Sequence, residues 1–313
     1  MRTLVTGGAG FIGSNLVDAL VARGDEVTVL DALSSGSREN LSGALEAGAQ
    51  LVTGDVRDRE AVEEAFAGAR PGLVFHLAAQ MDVRRSIEDP GFDASVNVVG
   101  TANLLDASRR HGAERFVNTS TGGAIYGETD VMPTPESVTP EPVSPYGQSK
   151  QCAELYCGWA ERLYGLPTVT LRYGNVYGPR QDPGGEAGVI AIFCGKVLAG
   201  ERPVVFGDGS ATRDYTFVSD IVAANLAVAD DRSAAGAFNV GTGVESSVLE
   251  MIEALREAAG LEELEPEFRD PRQGELERSS LDVTLAEREL GFRAKVPLAE
   301  GLALTLDALR AGA

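Results

Sequence analysis

The sequence predicts an α/β fold in which a doubly wound parallel sheet, covered by helices on both faces, is accompanied by a smaller α/β domain. Short apolar segments alternate with helical segments over the first 120 residues, which is typical of a parallel sheet with helical crossovers. Such crossovers are right-handed and give the doubly wound arrangement. The length of 313 residues fits one large domain and a smaller one.

The individual elements follow from apolar periodicity and from capping and turn residues. The predicted strands are Arg2–Thr6, Glu26–Asp31, Gln50–Thr53, 73–78, 115–119, 167–172, 214–218 and 237–240. The predicted helices are Phe11–Ala22, 59–67, 92–110, 146–163, Val248–Ala259 and Thr284–Leu290. Ser144 and Pro145 predict the start of the helix over 146–163, with serine as the cap and proline in the first turn. We expect 1–172, with returning segments near 214–242, to form the larger domain, and 173–313 to form the smaller, discontinuous one.

Composition limits the classes of partner. The formal net charge is −20; an acidic surface repels phosphate backbones, so nucleic acid is not expected, although a local pocket can still attract a phosphate-bearing ligand. Three sparse cysteines indicate a reducing compartment, and the two histidines show no metal-ligand spacing. No apolar run is long enough to span a bilayer, and a first strand at residue 2 leaves no room for a signal peptide. We therefore expect a cytoplasmic protein without a metal or membrane partner.

A glycine-rich turn, TGGAGFIG at 6–13, follows the first strand and opens the first helix. Gly7 permits the tight turn, Gly10 lets the backbone approach a pyrophosphate, and Gly13 lets helix and strand pack closely. The helix N-terminus presents free N–H groups to the anion. Asp31 ends the second strand 18 residues after Gly13; its carboxylate can bind a ribose diol and repels a 2′-phosphate, which favours NAD over NADP. The turn therefore predicts a Rossmann-like dinucleotide site.

Tyr146 and Lys150 indicate that the nucleotide is used for chemistry. They lie four residues apart in YGQSK at 146–150, a spacing that places both side chains on one face of a helix. A nearby ammonium stabilises phenolate, and the helix N-terminus acts in the same direction, so we expect the pKa of Tyr146 to fall below its usual value of about 10. A phenol of that kind can act as a general acid and base.

Together these features resemble the extended short-chain dehydrogenase/reductase superfamily, and within it the UDP-glucose 4-epimerase branch. The resemblance extends over nearly the whole chain. It rests on TGGAGFIGSNL at 6–16, Asp31, GDV at 54–56, HLAAQ at 76–80, VNVVGT at 96–101, STGGAIYG at 120–127, YGQSK at 146–150, LRYGNVYGPRQDP at 171–183, RDYTFVSD at 213–220 and PRQGE at 271–275.

The resemblance implies NAD as cofactor and assigns Lys150 to the nicotinamide ribose. Asp55 can pair with the adenine amino group, and a solvated turn aspartate is the alternative interpretation. The implied cofactor-binding residues are Gly7, Gly10, Phe11, Ile12, Gly13, Asp31, Asp55, Val56, Leu77, Ala78, Ala79, Gln80, Asn97, Thr119, Tyr146, Lys150 and Tyr173.

The resemblance also implies a UDP-sugar substrate. Tyr146 is the implied acid and base, and Thr121 binds the sugar 4-hydroxyl, with Ser120 as the alternative. Phe206 is implied to pack against uracil, and Arg213 and Arg272 to grip the diphosphate. The implied substrate-binding residues are Thr121, Tyr146, Asn175, Val189, Phe206, Arg213, Arg272, Glu275 and Ser279.

Three positions select among the branches of this superfamily. Sugar-nucleotide 4,6-dehydratases carry an Asp-Glu pair after the catalytic threonine, whereas here Gly122 and Gly123 follow Thr121. Enzymes acting on UDP-glucuronate usually offer an arginine where this chain has Asp182. Ser279 replaces a large aromatic that would restrict N-acetyl sugars. The residues therefore favour 4-epimerisation of a neutral UDP-hexose, with UDP-N-acetylglucosamine accepted alongside UDP-glucose.

The mechanism implied by the resemblance is oxidation and reduction at C4. Tyr146 phenolate takes the 4-hydroxyl proton while NAD takes hydride, the keto sugar turns over, and both return, so NAD is regenerated in place. The rival interpretations are another NAD-dependent sugar-nucleotide enzyme, such as a UDP-glucuronate 4-epimerase or decarboxylase, a 4,6-dehydratase or a reductase, and a non-catalytic NAD-binding protein. Intact Tyr146 and Lys150 argue against the last of these. Relatives commonly form homodimers through the helices over 92–110 and 146–163, and a homodimer is expected here on the same ground.

Overall fold

In the computed structural model, which describes residues 1–184, 188–271 and 276–312, the described chain is built around a seven-stranded parallel sheet. The strands of the chain are β1 Arg2–Thr6, β2 Glu26–Asp31, β3 Gln50–Thr53, β4 Leu73–His76, β5 Arg115–Thr121, β6 Thr168–Tyr173, β7 Asn175–Tyr177, β8 Val204–Phe206, β9 Thr212–Arg213, β10 Tyr215–Phe217, β11 Gly236–Val240, β12 Ser246–Ser247 and β13 Glu267–Arg269. The sheet order is β11-β6-β5-β4-β1-β2-β3, and every neighbouring pair is parallel.

Helices cover both faces of this sheet. They are α1 Phe11–Ala22, α2 Ser42–Glu46, α3 Arg59–Ala69, α4 Val83–Glu88, α5 Pro90–Ala94, α6 Gly100–His111, α7 Gly122–Ile125, α8 Pro145–Tyr164, α9 Val189–Leu198, α10 Val218–Asp230, α11 Val248–Ala259, α12 Thr284–Leu290 and α13 Leu298–Gly312. Strands β1 to β3 are added toward one edge of the sheet and β4 to β6 toward the other, so the strand order reverses between β1 and β4. In doubly wound sheets, ligands bind at that point, beyond the carboxyl ends of the strands.

Three apolar layers hold these elements together. Helices α1 and α10 bury Leu16 and Ile221 on one face of the sheet, and α3, α6 and α8 bury Phe66 and Leu104 on the other. A third cluster around Met251 joins α9, α11 and α13 beside the sheet. The paired strands β7–β10, β8–β13 and β9–β12 lie outside the main sheet, so the chain after β6 adds a region with its own core.

The predicted fold class is confirmed, and several predicted elements are wrong in their bounds. The strand predicted over 73–78 ends at His76, because Leu77 and Ala78 turn to pass against Gly7. The helix predicted over 92–110 is three pieces: α5, a π-helical turn at Ser95–Val99, and α6. The strand predicted over 214–218 is shorter, β10 at Tyr215–Phe217, because Val218 already begins α10. Ser144 caps α8 as predicted, accepting a hydrogen bond from the Gly147 N–H at 3.2 Å.

Candidate active site

The glycine turn packs without room for side chains. Gly7 has a left-handed φ of 69°, and a Cβ on it would lie 2.6 Å from the Ala78 nitrogen. A Cβ on Gly13 would lie 2.1 Å from the Gly7 oxygen, so this glycine is what allows α1 to pack directly on the turn. At Gly10, the cap of α1, the Gly7 oxygen at 3.3 Å is the one described atom that a Cβ would meet. The turn is therefore open at Gly10, at the helix N-terminus, where its N–H groups fit a pyrophosphate.

Asp31 fixes the wall of this cradle. Its carboxylate accepts one hydrogen bond from the Ala9 N–H and one from the Leu33 N–H, both at 2.8 Å. A carboxylate has about four acceptor positions, so two remain for a ribose diol. Sequence reasoning missed that Gly36 and Ser37 fold back over the turn: a Cβ on Gly36 would lie 2.7 Å from the Ala9 carbonyl carbon, and the Ser37 N–H donates to the Ala9 oxygen. The signal available in the sequence was the small, polar segment that follows Asp31.

A buried chain of hydrogen bonds links the turn to the helix layer through His76. Thr6 accepts from the Ala78 N–H and contacts His76 Nδ1 at 2.8 Å, and His76 Nε2 lies 2.9 Å from the Thr101 hydroxyl. The Thr101 proton is donated to the Asn97 oxygen, so His76 must donate from Nε2 and accept at Nδ1. Burial lowers the pKa of His76 to about 3, which keeps it neutral. This histidine joins the end of β4 to Thr6, before the glycine turn, and to Thr101 in the helix layer.

Tyr146 and Lys150 lie on α8 beside the carboxyl end of β5. The Lys150 ammonium donates to the Thr119 carbonyl oxygen at 2.9 Å, and the Tyr146 phenol lies beside the Thr121 side chain. Burial lowers the pKa of Lys150 to about 8. Burial also raises the pKa of Tyr146 to about 12, against the effect of the Thr121 side chain. The expectation that the protein alone lowers the pKa of Tyr146 is therefore wrong, because desolvation of the phenolate outweighs the other effects.

Thr121 opens a tight turn against two other segments. A Cβ on Gly122 would lie 2.5 Å from a Leu281 methyl carbon, and a Cβ on Gly123 would lie 3.0 Å from Asn175 Oδ1. That Asn175 oxygen is buried and has no hydrogen-bond partner among the residues that the structure describes, so it fits a ligand. The Ser120 hydroxyl is likewise buried without a described partner, whereas Thr121 meets the phenol.

Asp214 joins these segments and was not singled out by the sequence. Its side chain is buried, and its carboxylate accepts from Thr242, from the Gly243 N–H at 3.0 Å and from the Leu281 N–H at 3.3 Å. Its carbonyl oxygen accepts from the Asn175 N–H at 2.7 Å. Burial raises the pKa of Asp214 despite these donors. One residue thus holds Asn175 and Leu281 at the Thr121 turn.

Asn239, on β11, makes a second connection of the same kind. Its amide nitrogen donates to the carbonyl oxygens of Thr134 and Asp282, and its Oδ1 accepts from Tyr126 at 2.7 Å. The Tyr126 oxygen also accepts from Arg172 at 2.8 Å, and both oxygens of Glu154 on α8 bind Arg172. This network ties α8 to the segments that follow Thr121 and Ser279.

The other predicted residues fall into three groups. Asp55 binds the Arg57 guanidinium with both oxygens, so its carboxylate is engaged in the turn, while Val56 packs under Gly100. Arg213, on β9, donates to the Thr212 oxygen, and Ser279 is buried beside Leu281. Arg272 and Glu275 lie outside the described residues.

Several further predicted residues line the same edge of the sheet. The Tyr173 hydroxyl lies 3.3 Å from Thr119 Oγ1 and accepts from Asn225. Gln80 and Asn97 are buried and hydrogen-bonded to each other. Phe206 ends β8. The remaining predicted positions begin helices or follow β4: Phe11, Ile12, Val189, Leu77, Ala78 and Ala79.

The described residues show neither a candidate membrane span nor a candidate metal site. Among the described residues, no helix is both long and apolar enough to cross a membrane. Within the same ranges, no group of three or more histidine, cysteine, aspartate or glutamate side chains is arranged to hold a metal ion.

Comparison with known proteins gives a consistent result. The model of the NAD dependent epimerase/dehydratase family matches residues 3–241. A UDP-glucose 4-epimerase of Mycolicibacterium smegmatis is 48% identical over 311 residues, covering 99% of each chain. The solved UDP-glucose 4-epimerase of Thermotoga maritima with UDP-glucose is 46% identical with a TM-score of 0.95, covering 100% of this chain and 99% of that one. The Thermus thermophilus UDP-glucose 4-epimerase in complex with NAD is 46% identical with a TM-score of 0.92, covering 100% of both.

Proposed function

Because the chain belongs to the NAD dependent epimerase/dehydratase family, we propose that it interconverts UDP-glucose and UDP-galactose by inverting C4. The predictions of family, fold, NAD as cofactor and an epimerase activity are confirmed by the comparisons. The observation that carries the proposed chemistry is the placement of the Tyr146 phenol beside the Thr121 side chain, at the end of the sheet where the glycine turn opens. The roles of individual residues below are part of the proposal.

Tyr146 is the proton-transferring group of this mechanism. Its phenolate accepts the proton of the sugar 4-hydroxyl, and its phenol later returns that proton to the oxygen on C4 when hydride is returned to the opposite face of C4. Thr121, which lies beside the same phenol, orients the sugar 4-hydroxyl toward Tyr146. Bound NAD supplies the hydride acceptor for C4 and a positive charge that favours phenolate. Lys150, anchored on the Thr119 oxygen, holds the nicotinamide ribose with its remaining protons.

The sugar nucleotide is held by residues from the region beyond β6. Arg213 and Arg272 bind the diphosphate, while Phe206 packs against uracil. Asn175 Oδ1 has no described partner in the protein and is therefore suited to a sugar hydroxyl. Arg213 keeps the diphosphate fixed while the keto sugar turns its other face toward Tyr146.

The Thr121 turn disfavours dehydration. A dehydratase needs two acidic side chains directly after the threonine, and here those positions are Gly122 and Gly123. Even a Cβ at Gly122 would collide with Leu281 at 2.5 Å, and one at Gly123 would press on Asn175. The packing at these two glycines therefore excludes those acids. Of the two reactions, only oxidation and reduction at C4 is supported.

The outer face of α8 supports a homodimer. Leu155, Tyr156, Trp159 and Leu163 are exposed at helical spacing on this face, Leu155 to 65% and Leu163 to 62%. Exposed apolar patches of this kind on a folded chain mark protein–protein contacts. We infer that two copies pair through this face of α8 and the neighbouring α6, and the sedimentation mass of the purified chain measures this directly.

Product analysis tests the proposed function. The purified protein, without added cofactor, is incubated with UDP-glucose, UDP-galactose, their N-acetyl forms and UDP-glucuronate, and the products are separated. We expect UDP-glucose and UDP-galactose to reach the same mixture from either side, because the cofactor is restored in each turnover. A 4-keto-6-deoxy product, or turnover that requires stoichiometric added cofactor, contradicts the proposal in favour of a dehydratase or a reductase.

Tyr146→Phe tests the role of the phenol. Loss of a general acid–base group lowers rates by about 10² to 10⁴-fold, and we expect a fall in kcat of about a thousandfold with the bound NAD retained. Tyr156→Phe, on the outer face of the same helix, is the matched control and should leave kcat unchanged. Undiminished turnover by the Tyr146→Phe protein overturns the mechanism.

A further inference from the structure

Asp93 is a buried acid beside the catalytic helix for which the proposed mechanism has no role. It lies on α5, which packs against α8, and only 1% of the residue is exposed. Carboxylates are seldom buried so completely unless a cation or several donors satisfy them. Asp93 therefore demands a physical explanation.

The two carboxylate oxygens of Asp93 differ in their surroundings. Oδ1 accepts from the side-chain amides of Gln80 at 2.9 Å and Asn97 at 3.2 Å. Oδ2 is buried and has no hydrogen-bond partner among the residues that the structure describes. A carboxylate held by neutral amides through one oxygen keeps most of its negative charge uncompensated, and this is costly for the stability of the fold.

The amides that bind Asp93 lead directly to the first turn of α8. The Asn97 side-chain nitrogen also donates to Ser149 Oγ at 2.9 Å, and Ser149 in turn donates to the Tyr146 carbonyl oxygen at 3.0 Å. Asn97 lies in the π-helical turn at Ser95–Val99, a local widening of the helix that is frequent at functional sites. Asp93 is thus connected through two side chains to the backbone of the catalytic tyrosine.

The charge of Asp93 acts on both catalytic groups. It raises the pKa of Tyr146, in the same direction as burial, and it raises the pKa of Lys150, against burial. The other ionisable groups facing Lys150 are Glu154 and Cys157 on α8 and His76 on β4. Both Glu154 oxygens bind Arg172, so its charge is largely offset; Cys157 is a buried thiol and His76 is neutral.

We propose that Asp93 is a positioning residue for the Tyr146–Lys150 pair: its buried carboxylate, held by the Gln80 and Asn97 amides, sets the orientation of the first turn of α8 and places a negative charge beside that turn. This inference rests on the proposed function and deepens it. Asp93 acts through Asn97, through Ser149 and through space.

Asp93→Asn separates charge from geometry, because the Asn oxygen can still accept from Gln80 and Asn97. Removing the negative charge lowers the pKa of both catalytic groups, so phenolate forms at a lower pH and the ammonium is lost at a lower pH. We expect both limbs of the pH profile of kcat in the NAD-loaded enzyme to move to lower pH by about one unit. The ultraviolet titration of Tyr146, isolated by subtracting the same curve for Asp93→Asn/Tyr146→Phe, should move in the same direction.

Controls keep the outcome decisive. Glu88→Gln removes one charge from the neighbouring α4, where Glu88 is exposed, and should leave both measurements unchanged. If Asp93→Asn does not fold, Asp93→Ser retains a hydroxyl acceptor and serves in its place. If the wild type is active and Asp93→Asn shows the same pH limbs and the same tyrosine titration, the inference is overturned. If the wild type is inactive, the proposed function is overturned, and the tyrosine titration alone decides the role of Asp93.

Discussion

The proposed cofactor side of the site, at the glycine turn over 6–13, and the proposed sugar side, at the Thr121 turn, are held together in different ways. On the cofactor side, Gly7 and Gly13 let backbone pack directly on backbone, Gly7 against Leu77 and Ala78 and Gly13 within the turn itself, and any Cβ there would meet main-chain atoms. On the sugar side, the Thr121 turn meets segments that are distant in sequence, and buried polar side chains join them, chiefly Asp214 and Asn239. The glycine packing depends on the absence of a Cβ at Gly7 and Gly13, whereas the Thr121 turn depends on buried hydrogen-bonding groups.

The difference has energetic consequences. Packing of glycine backbone involves no titratable group, so its stability does not depend on pH and fails only through steric overlap. Asp214 and Asn239 instead sit in a low-dielectric interior, where a satisfied group is rigid and an unsatisfied one is costly. The cofactor side is therefore expected to be broken by added volume, and the sugar side by the loss or misdirection of a single donor or acceptor.

Gly13→Ala should produce the largest effect. The added methyl would lie 2.1 Å from the Gly7 oxygen and 2.7 Å from the Gly8 Cα, so α1 must move away from the turn. We expect a loss of stability of about 3 kcal/mol and, because the N-terminus of α1 is the proposed pyrophosphate site, NAD binding about a hundredfold weaker. NAD content after purification and the Kd for added NAD measure this.

Gly43→Ala is the matched control for that change. Gly43 lies in α2, and a Cβ there meets nothing within 4 Å among the described residues, so we expect NAD binding to be retained and stability to rise slightly. If Gly13→Ala keeps its NAD as the control does, the cofactor side does not depend on this close packing.

Asp214→Asn should spare the cofactor and damage the sugar side. One carboxylate oxygen becomes an NH₂ group that faces N–H donors, either those of Gly243 and Leu281 or that of Thr242. Leaving these donors unpaired costs about 2 kcal/mol. If that cost falls on the active arrangement of the Thr121 turn, kcat/KM for UDP-glucose becomes about thirtyfold lower, with NAD content unchanged. Steady-state kinetics and bound-NAD assays measure the two sides separately.

Asp231→Asn provides the comparison for the Asp214 variant. Asp231 also accepts from nearby N–H and O–H groups, those of Ser233, but in a local turn at the end of α10. It should leave kcat/KM unchanged. A parallel loss of NAD and of sugar turnover in Asp214→Asn would show that the two sides are not separable.

The same contrast explains what the sequence could and could not predict. Local patterns could be recognised in the sequence because each specifies backbone geometry or one helix face. They are the glycine turn, Asp31 and the Tyr146–Lys150 spacing. Asp93 and Asp214 have no local pattern, because their significance comes from burial, which only the assembled fold creates. Their partners lie on other segments, so no spacing in the sequence announces them.

Secondary structure shows the same limit in the region beyond β6. Helices α9 and α10 were not predicted, and they are apolar over most of their lengths: VIAIFCGKVL in α9 and VSDIVAANLAVAD in α10. Helices packed on several sides lack the polar stripe that reveals a 3.6-residue period. The Gly- and Pro-rich segments beside them further obscured the pattern, so this region was predicted chiefly from its amphipathic helix α11, whose bounds are confirmed.

Ser279→Tyr should have the smallest and most selective effect, and it tests whether the sugar side also sets substrate size. Ser279 is buried beside Leu281, which packs on Gly122 next to Thr121, so a tyrosine there is expected to narrow the space around the sugar. We expect turnover of UDP-N-acetylglucosamine to fall about tenfold, which is the discrimination that a steric change of this size gives, while UDP-glucose turnover changes little. Ser279→Ala, which preserves small size, should leave both substrates unaffected. Equal losses on the two sugars would mean that the tyrosine disturbs the Asp214–Leu281 connection rather than the pocket, because only damage to shared packing lowers both rates together.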